Sequence, residues 1–173
     1  MKKILVLLLM FAPLSIFAQQ KFGYRNSMEI VQLMPEYAKA QTNLTNLQKT
    51  YSEEYDRLRS DIEKKGLELE QLKDSLPANI VQRRQTELEG MIGRLQQYEQ
   101  ESYQHLQQAQ AKELEEVNKV LREAIKAVGQ AGGYVCIFDV AGGVPYISES
   151  LCEDVTVAVK TKLGISPTAV APR

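Results

Sequence analysis

The stretch KDSLPANIVQ, Lys73 to Gln82, interrupts a segment, Glu36 to Gln130, that otherwise reads as helix. Pro77 is the only proline between Pro35 and Pro145. A residue without a backbone N–H either kinks one long helix or marks the tip of a hairpin. The apolar pattern on each side decides between them. Before the proline, Leu44, Leu47, Tyr51, Tyr55, Leu58, Ile62, Leu69 and Leu72 recur at steps of three and four. They make a heptad seam with one eleven-residue stutter near Lys65. Folding the chain at Leu76–Pro77 sets Leu72 opposite Val81, Ile62 opposite Met91, Leu58 opposite Leu95 and Tyr55 opposite Tyr98. It also sets Leu47 opposite Leu106 and Leu44 opposite Ala109. Three layers are mixed: Leu69 with Arg84, Lys65 with Leu88, Tyr51 with Ser102. One continuous helix has no reason to be mirror-symmetric about its middle, whereas antiparallel arms need a partner for every layer. The sequence therefore predicts a helical-hairpin tentacle over 36–130, with its tip near 75–79 and Ser75 as a candidate cap. The alternative is a kinked coiled coil pairing with other chains.

Outward from the arms, the two ends carry a different pattern. KFGYRNS (21–27) alternates as a short strand. Asn26 and Glu29 have the spacing of a capping box, so a short helix starts near Ser27, and Pro35 breaks and restarts it. After the hairpin, Tyr134–Asp139 is a strand candidate, apolar on both faces. AGG (141–143) is a turn, and Val144–Ser148 is a second strand candidate. EDVTVAVKTKLGI closes the chain as an amphipathic helix, with Asp154 or Thr156 at its start and Gly164 past its end. Segments 19–35 and 131–165 thus form a small β-containing body, and 166–173 reads as a loose tail.

The first residues, MKKILVLLLMFAPLSIFA, have the form of a cleaved signal peptide over 1–18: Lys2 and Lys3, then an apolar run too short for a membrane span. An uncleaved anchor is the alternative. Export places the mature chain most simply in a bacterial periplasm. Losing Lys2 and Lys3 takes the net charge from −1 to −3. A slightly acidic chain has no general electrostatic drive toward nucleic acid.

The sequence shows little catalytic chemistry. His105 is the only histidine, with no second histidine or cysteine at ligand spacing, and it reads as a residue on a solvated helix face. GGYVCIFD and VAGGV lack the lysine and hydroxyl of a phosphate loop. Acidic pairs such as Glu53/Glu54 and Glu115/Glu116 read as solvated helix surface. No nucleophile–base set is present, and the expectation is a non-enzyme without cofactor or metal. Cys136 and Cys152 are a candidate disulfide in an oxidising compartment, set against two unrelated thiols.

A long two-helix hairpin buries one narrow seam, and the body is very small, so neither half is expected to fold well alone. Copies that pool their strands would cover both strand faces and remove the sheet edges. Phe22, Tyr24, Tyr134, Ile137, Val144 and Tyr146 are the interface residues this predicts.

FGYRNSMEIVQLMPEYAKAQ, the hairpin, GGYVCIFDVAGGVPYI and DVTVAVKTKLG follow the order seen in the Skp/OmpH family of periplasmic chaperones, and the chain resembles that family over its whole mature length. The resemblance implies a mainly α fold with a small β part. In it, the strands of three subunits form a barrel and three hairpins hang from it around a cavity. It also implies an ATP-independent holdase for unfolded outer-membrane proteins in transit. Well-known members are strongly basic and this chain is not, which leaves membrane-surface contact undecided. YISESLCEDVT is about two residues longer than the usual link. The alternative function is a coiled-coil spacer or adaptor without client binding. Off the seam the hairpin offers Leu67, Ile92 and Tyr103 as client contacts. Gly66, Gly90 and Gly93, glycines well inside the long helices, cluster at one height as a candidate hinge.

Overall fold

The computed structural model describes residues 20–170, so the expected signal peptide over 1–18 and the last three residues of the expected tail lie outside the described residues. Strand β1 (Lys21–Arg25) leads into the short helix α1 (Ser27–Val31). The arms are α2 (Pro35–Leu72) and α3 (Ala78–Gly132). Strand β2 (Tyr134–Asp139), strand β3 (Cys152–Asp154) and helix α4 (Thr156–Lys162) complete the chain. It is a mainly α molecule: a long antiparallel hairpin on a three-stranded sheet.

The antiparallel hairpin forms, with cross-arm contacts that differ in detail from the mirrored layers. Lys65 pairs with Glu87, the Tyr51 ring meets Tyr98 edge-on at 6.2 Å, and Asn43 Nδ2 donates to Glu113 at 2.9 Å. Half-buried positions along α2 include Leu44, Leu47, Tyr51, Tyr55, Leu58, Ile62, Gly66 and Leu69. Their spacing falls in eleven-residue units, close to the 3.6 residues per turn of a straight helix, so the arms need little supercoil. Gly66 therefore occupies the layer assigned to Lys65: it faces Leu88, while the Lys65 ammonium reaches out to Glu87. A lysine gives up less hydration at the rim than in the seam.

At the tip, α2 ends with Ser75 N and Leu76 N both donating to Leu72 O. Ser75 does not cap the second arm. Pro77 stands at that position, and its carbonyl accepts from Ile80 N and Val81 N. Proline supplies the fixed φ and has no N–H to leave unsatisfied. At the base, Gly133 adopts φ +66, the left-handed geometry that ends α3 and aims the chain into β2.

The sheet order is β2-β1-β3, with both pairings parallel. The hairpin expected between β2 and residues 144–148 does not form. Asp139 Oδ1 accepts from Ala141 N to make a 3-10 turn, and Gly143 (φ +83) turns the chain away from β2. The strand forms later, at Cys152–Asp154, on the far side of β1. Its polar composition gave no strand signal, because an edge strand is held by backbone bonds rather than by side-chain burial.

One face of the sheet covers the core. Ile30, Met34, Val155 and Val159 are fully buried there, with Ala40, Val117, Leu121 and Ala124 from the arm bases and Ile165 beyond α4. The capping box is half formed. Asn26 Oδ1 accepts from Glu29 N, but the Glu29 carboxylate takes the Lys160 ammonium and Asn26 N donates to Thr156 Oγ1. Lys160, 2 % exposed, also donates to Ala169 O at 3.1 Å. The described part of the tail is therefore not loose: residues 166–169 turn back, and Ala169 packs against the core.

Candidate functional site: an open sheet face and the walls of the hairpin

The first candidate surface is the second face of the sheet. Register puts Phe22 beside both Cys136 and Cys152, and Tyr24 beside Phe138 and Asp154. Alternation then sends these side chains to the face away from the core. Phe22 and Phe138 stack with ring centroids 6.4 Å apart. Phe138 and Cys136 are exposed, and Val135 is 62 % exposed. The result is an apolar face uncovered in the single chain, the kind of patch that marks an interaction site.

The predicted interface residues divide across this sheet. Phe22 and Tyr24 lie on the open face. Tyr134 and Ile137 pack against the chain's own core, Ile137 Cδ1 lying 3.5 Å from where a side chain on Gly129 would begin. A bulge opposite Lys21–Phe22 shifts the alternation of β2 and turns Tyr134 inward. Val144 is half-buried, Tyr146 is 79 % exposed, and neither belongs to a strand. Phe138 and Val135 were missed. The signal for Phe138 was present in its two-residue offset from Cys136, but the bulge that decides which parity faces out is not legible in sequence.

Polar groups fix the margins of the sheet. Asp139 accepts from Ser27 N and Ala141 N and pairs with Arg25 at 3.1 Å. Burial works to raise its pKa. The Ser27 bonds and the Arg25 charge outweigh it and hold the carboxyl below its ordinary 3.8. At the other margin the Lys21 ammonium bonds Glu153 at 2.7 Å and sits 4.3 Å over the Tyr134 ring. That bond raises the Lys21 pKa and lowers that of Glu153.

Cys136 and Cys152 are free thiols. Both align with Phe22 on opposite sides, so two strand spacings, about 9.6 Å, separate their backbones. A bridge within one chain requires less than about 7 Å. The candidate intrachain disulfide is therefore not formed.

The second candidate surface is the hairpin wall. Leu67 is 64 %, Tyr103 63 % and Ile92 41 % exposed, all off the seam as predicted; Leu72 and Leu114 join them. Leu72, assigned to the seam, is exposed at the last residue of α2. Gly90 and Gly93 face open space and Gly66 faces Leu88 across the seam. His105 is exposed but not isolated: its Nδ1 lies 3.3 Å from the Tyr51 hydroxyl. Among the described residues no group of three or more acidic, histidine or cysteine side chains is placed to hold a metal. No helix among them is long and apolar enough to cross a membrane.

Three comparisons bear on these surfaces. A family model described as "Outer membrane protein (OmpH-like)" matches residues 21–163. A solved structure of an OmpH-like outer membrane chaperone from Caulobacter crescentus CB15 superposes with a TM-score of 0.74 at 17 % identity. The match covers 89 % of this chain and 91 % of that one, which establishes likeness of fold. No curated protein matches in sequence.

Proposed function

The chain belongs to the OmpH-like family, and from that premise we propose that it is an ATP-independent periplasmic holdase that binds unfolded outer-membrane proteins and keeps them from aggregating in transit. In this reading the segment 1–18 exports the chain and is removed. The body assembles a homotrimer through the open sheet face, with Phe22, Tyr24 and Phe138 at its centre. The three hairpins then enclose a cavity.

The observation that carries the reading is the pair of unlike surfaces on one chain. A compact apolar face suits a permanent partner. A long polar wall studded with single apolar side chains, Leu67, Ile92, Tyr103 and Leu114, suits transient ones. No single contact on such a wall binds strongly. Three walls facing one polypeptide multiply weak contacts into useful avidity without a deep pocket. The family's chaperone role favours this over a spacer.

Light scattering of a diluted, unfolded outer-membrane protein tests the function. Stoichiometric mature protein should suppress aggregation, and Leu67→Ser/Ile92→Ser/Tyr103→Ser should lose much of that effect while keeping its mass. A wild-type protein that leaves aggregation unchanged would return the chain to the spacer class. For assembly, Phe138→Asp should lower the sedimenting mass to that of one chain while the helical circular dichroism persists. Ile137→Asp should instead unfold the body, because Ile137 belongs to the core side.

A further inference from the structure

Where the hairpin joins the body, the root of α3 carries a cation with no local partner. Arg122 is exposed, and the positions three and four residues away on its helix hold Asn118, Lys119, Ile125 and Lys126. Those are the neighbours a helical side chain reaches, and none is a carboxylate. Arg57 and Arg59, further along the arms, each find a glutamate at that spacing. Among the described residues Arg122 enters no ion pair.

Arg122 opens onto a cleft of about 470 Å3 between α1, the roots of both arms and the turn after β2. Its floor is apolar: Met28 and Val31, three residues apart on α1, with Tyr37 and Leu121 from the arms. Arg25 lines it as well. One nitrogen of that guanidinium is held by Asp139 at 3.1 Å, and Nε is buried with no acceptor among the described residues. The Asp139 carboxylate is already engaged by Ser27 N, Ala141 N and Arg25. The cleft therefore sets two cations against one committed carboxylate, over an apolar floor.

A buried guanidinium donor without an acceptor is costly, and its bonds to an anion are the strong kind. The cleft calls for an anion with an apolar group attached. An aspartate or glutamate within a chain brings no apolar side chain of its own. The end of a polypeptide does, because its carboxylate and its last side chain leave one Cα and enter a cleft of this size together. We infer that the cleft captures the C-terminal residue of an unfolded polypeptide, with the carboxylate on Arg122 and Arg25 and an apolar side chain on the floor. Asn118, one helical turn from Arg122, offers its amide to the last peptide group. This rests on the holdase reading above and names the part of the client that is held at a fixed point. The hairpin wall has no such point, since its apolar side chains stand singly. An end anchored at the root keeps the rest of the client close to the walls and raises its effective concentration there.

Fluorescence anisotropy of a dye-labelled tetrapeptide ending in leucine, titrated with the full mature protein, tests this. The peptide with a free carboxylate should bind at least about tenfold more tightly than its C-terminal amide, the loss of one charge-assisted bond. Arg122→Gln should weaken the carboxylate peptide by a similar factor and leave the amide unchanged. Because Arg122 is exposed and unpaired, its helical circular dichroism should match the wild type. Leu67→Ser/Ile92→Ser/Tyr103→Ser, on the walls, should change neither peptide. Equal binding of the two peptides, or binding indifferent to Arg122, would overturn the inference and leave the holdase reading to its light-scattering test. Decanoate that displaces the peptide with equal affinity would give the cleft to free acids with apolar chains, and would also overturn it. Arg122-dependent peptide binding by a protein that leaves aggregation unchanged would sink the holdase reading and keep the cleft's ligand.

Discussion

The body and the hairpin are built from the same chain on opposite principles. In the body, side chains far apart in sequence lock together: Ile30 and Met34 against Val155 and Val159, Lys160 between Glu29 and the tail, Asp139 across Ser27 and Arg25. In the hairpin, no residue from 41 to 101 is buried, and ion pairs such as Arg57–Glu54 and Arg59–Glu63 lie along single exposed helices. Surface pairs of that kind contribute little. The body thus gains from cooperative packing, whereas the hairpin gains from length and a half-covered seam. One end is suited to fixed assembly, and the other to yielding contact.

The largest effect that tests this contrast is a matched pair of truncations. Ile30→Ala should destabilise the protein by about 2–5 kcal/mol, the range for a fully buried large aliphatic. Leu58→Ala, at a half-covered seam layer, should cost well under half of that. Denaturant midpoints at constant slope would measure both, and equal losses would break the comparison. Next is the buried ammonium. Lys160→Met keeps the aliphatic stem and removes the charge-assisted bonds, at about 1.5–3 kcal/mol. It should also free the tail, read as faster proteolysis near residues 166–170.

A third test uses acid. The Asp139 pKa is depressed in the folded chain. Its contribution is therefore present above the ordinary carboxylate value and lost as pH falls through the lowered one. Stability of the body should drop below about pH 4, and Asp139→Asn should flatten that part of the curve at the expense of stability near neutrality. The smallest effects sharpen the hairpin side. Gly66→Ala, Gly90→Ala and Gly93→Ala should each stabilise by about 1 kcal/mol, since Gly90 and Gly93 face open space and a methyl at Gly66 would meet Leu88 at 3.9 Å. If these glycines serve as a hinge, the triple variant should also narrow the tip-to-tip distances between spin labels at position 78. An unchanged distribution removes the hinge.

By itself the sequence determined the hairpin, its tip at Leu76–Pro77, a first strand within 21–27, the strand at 134–139, and the exposed Leu67, Ile92 and Tyr103. Each rests on local periodicity or on mirror symmetry within one segment, and both are written in residue order. It missed the eleven-residue repeat that puts Gly66 in the seam, because a glycine carries no hydrophobic signal. Only the tertiary structure decided that β3 is Cys152–Asp154, that Ile137 faces in and Phe138 faces out, that Lys160 is buried and that the tail is held. Strand pairing is chosen by backbone groups common to every residue, and a one-residue bulge reverses which side chains face the core. A lysine is buried only where a distant carboxylate and carbonyl converge on it, and that convergence exists only once the chain has folded.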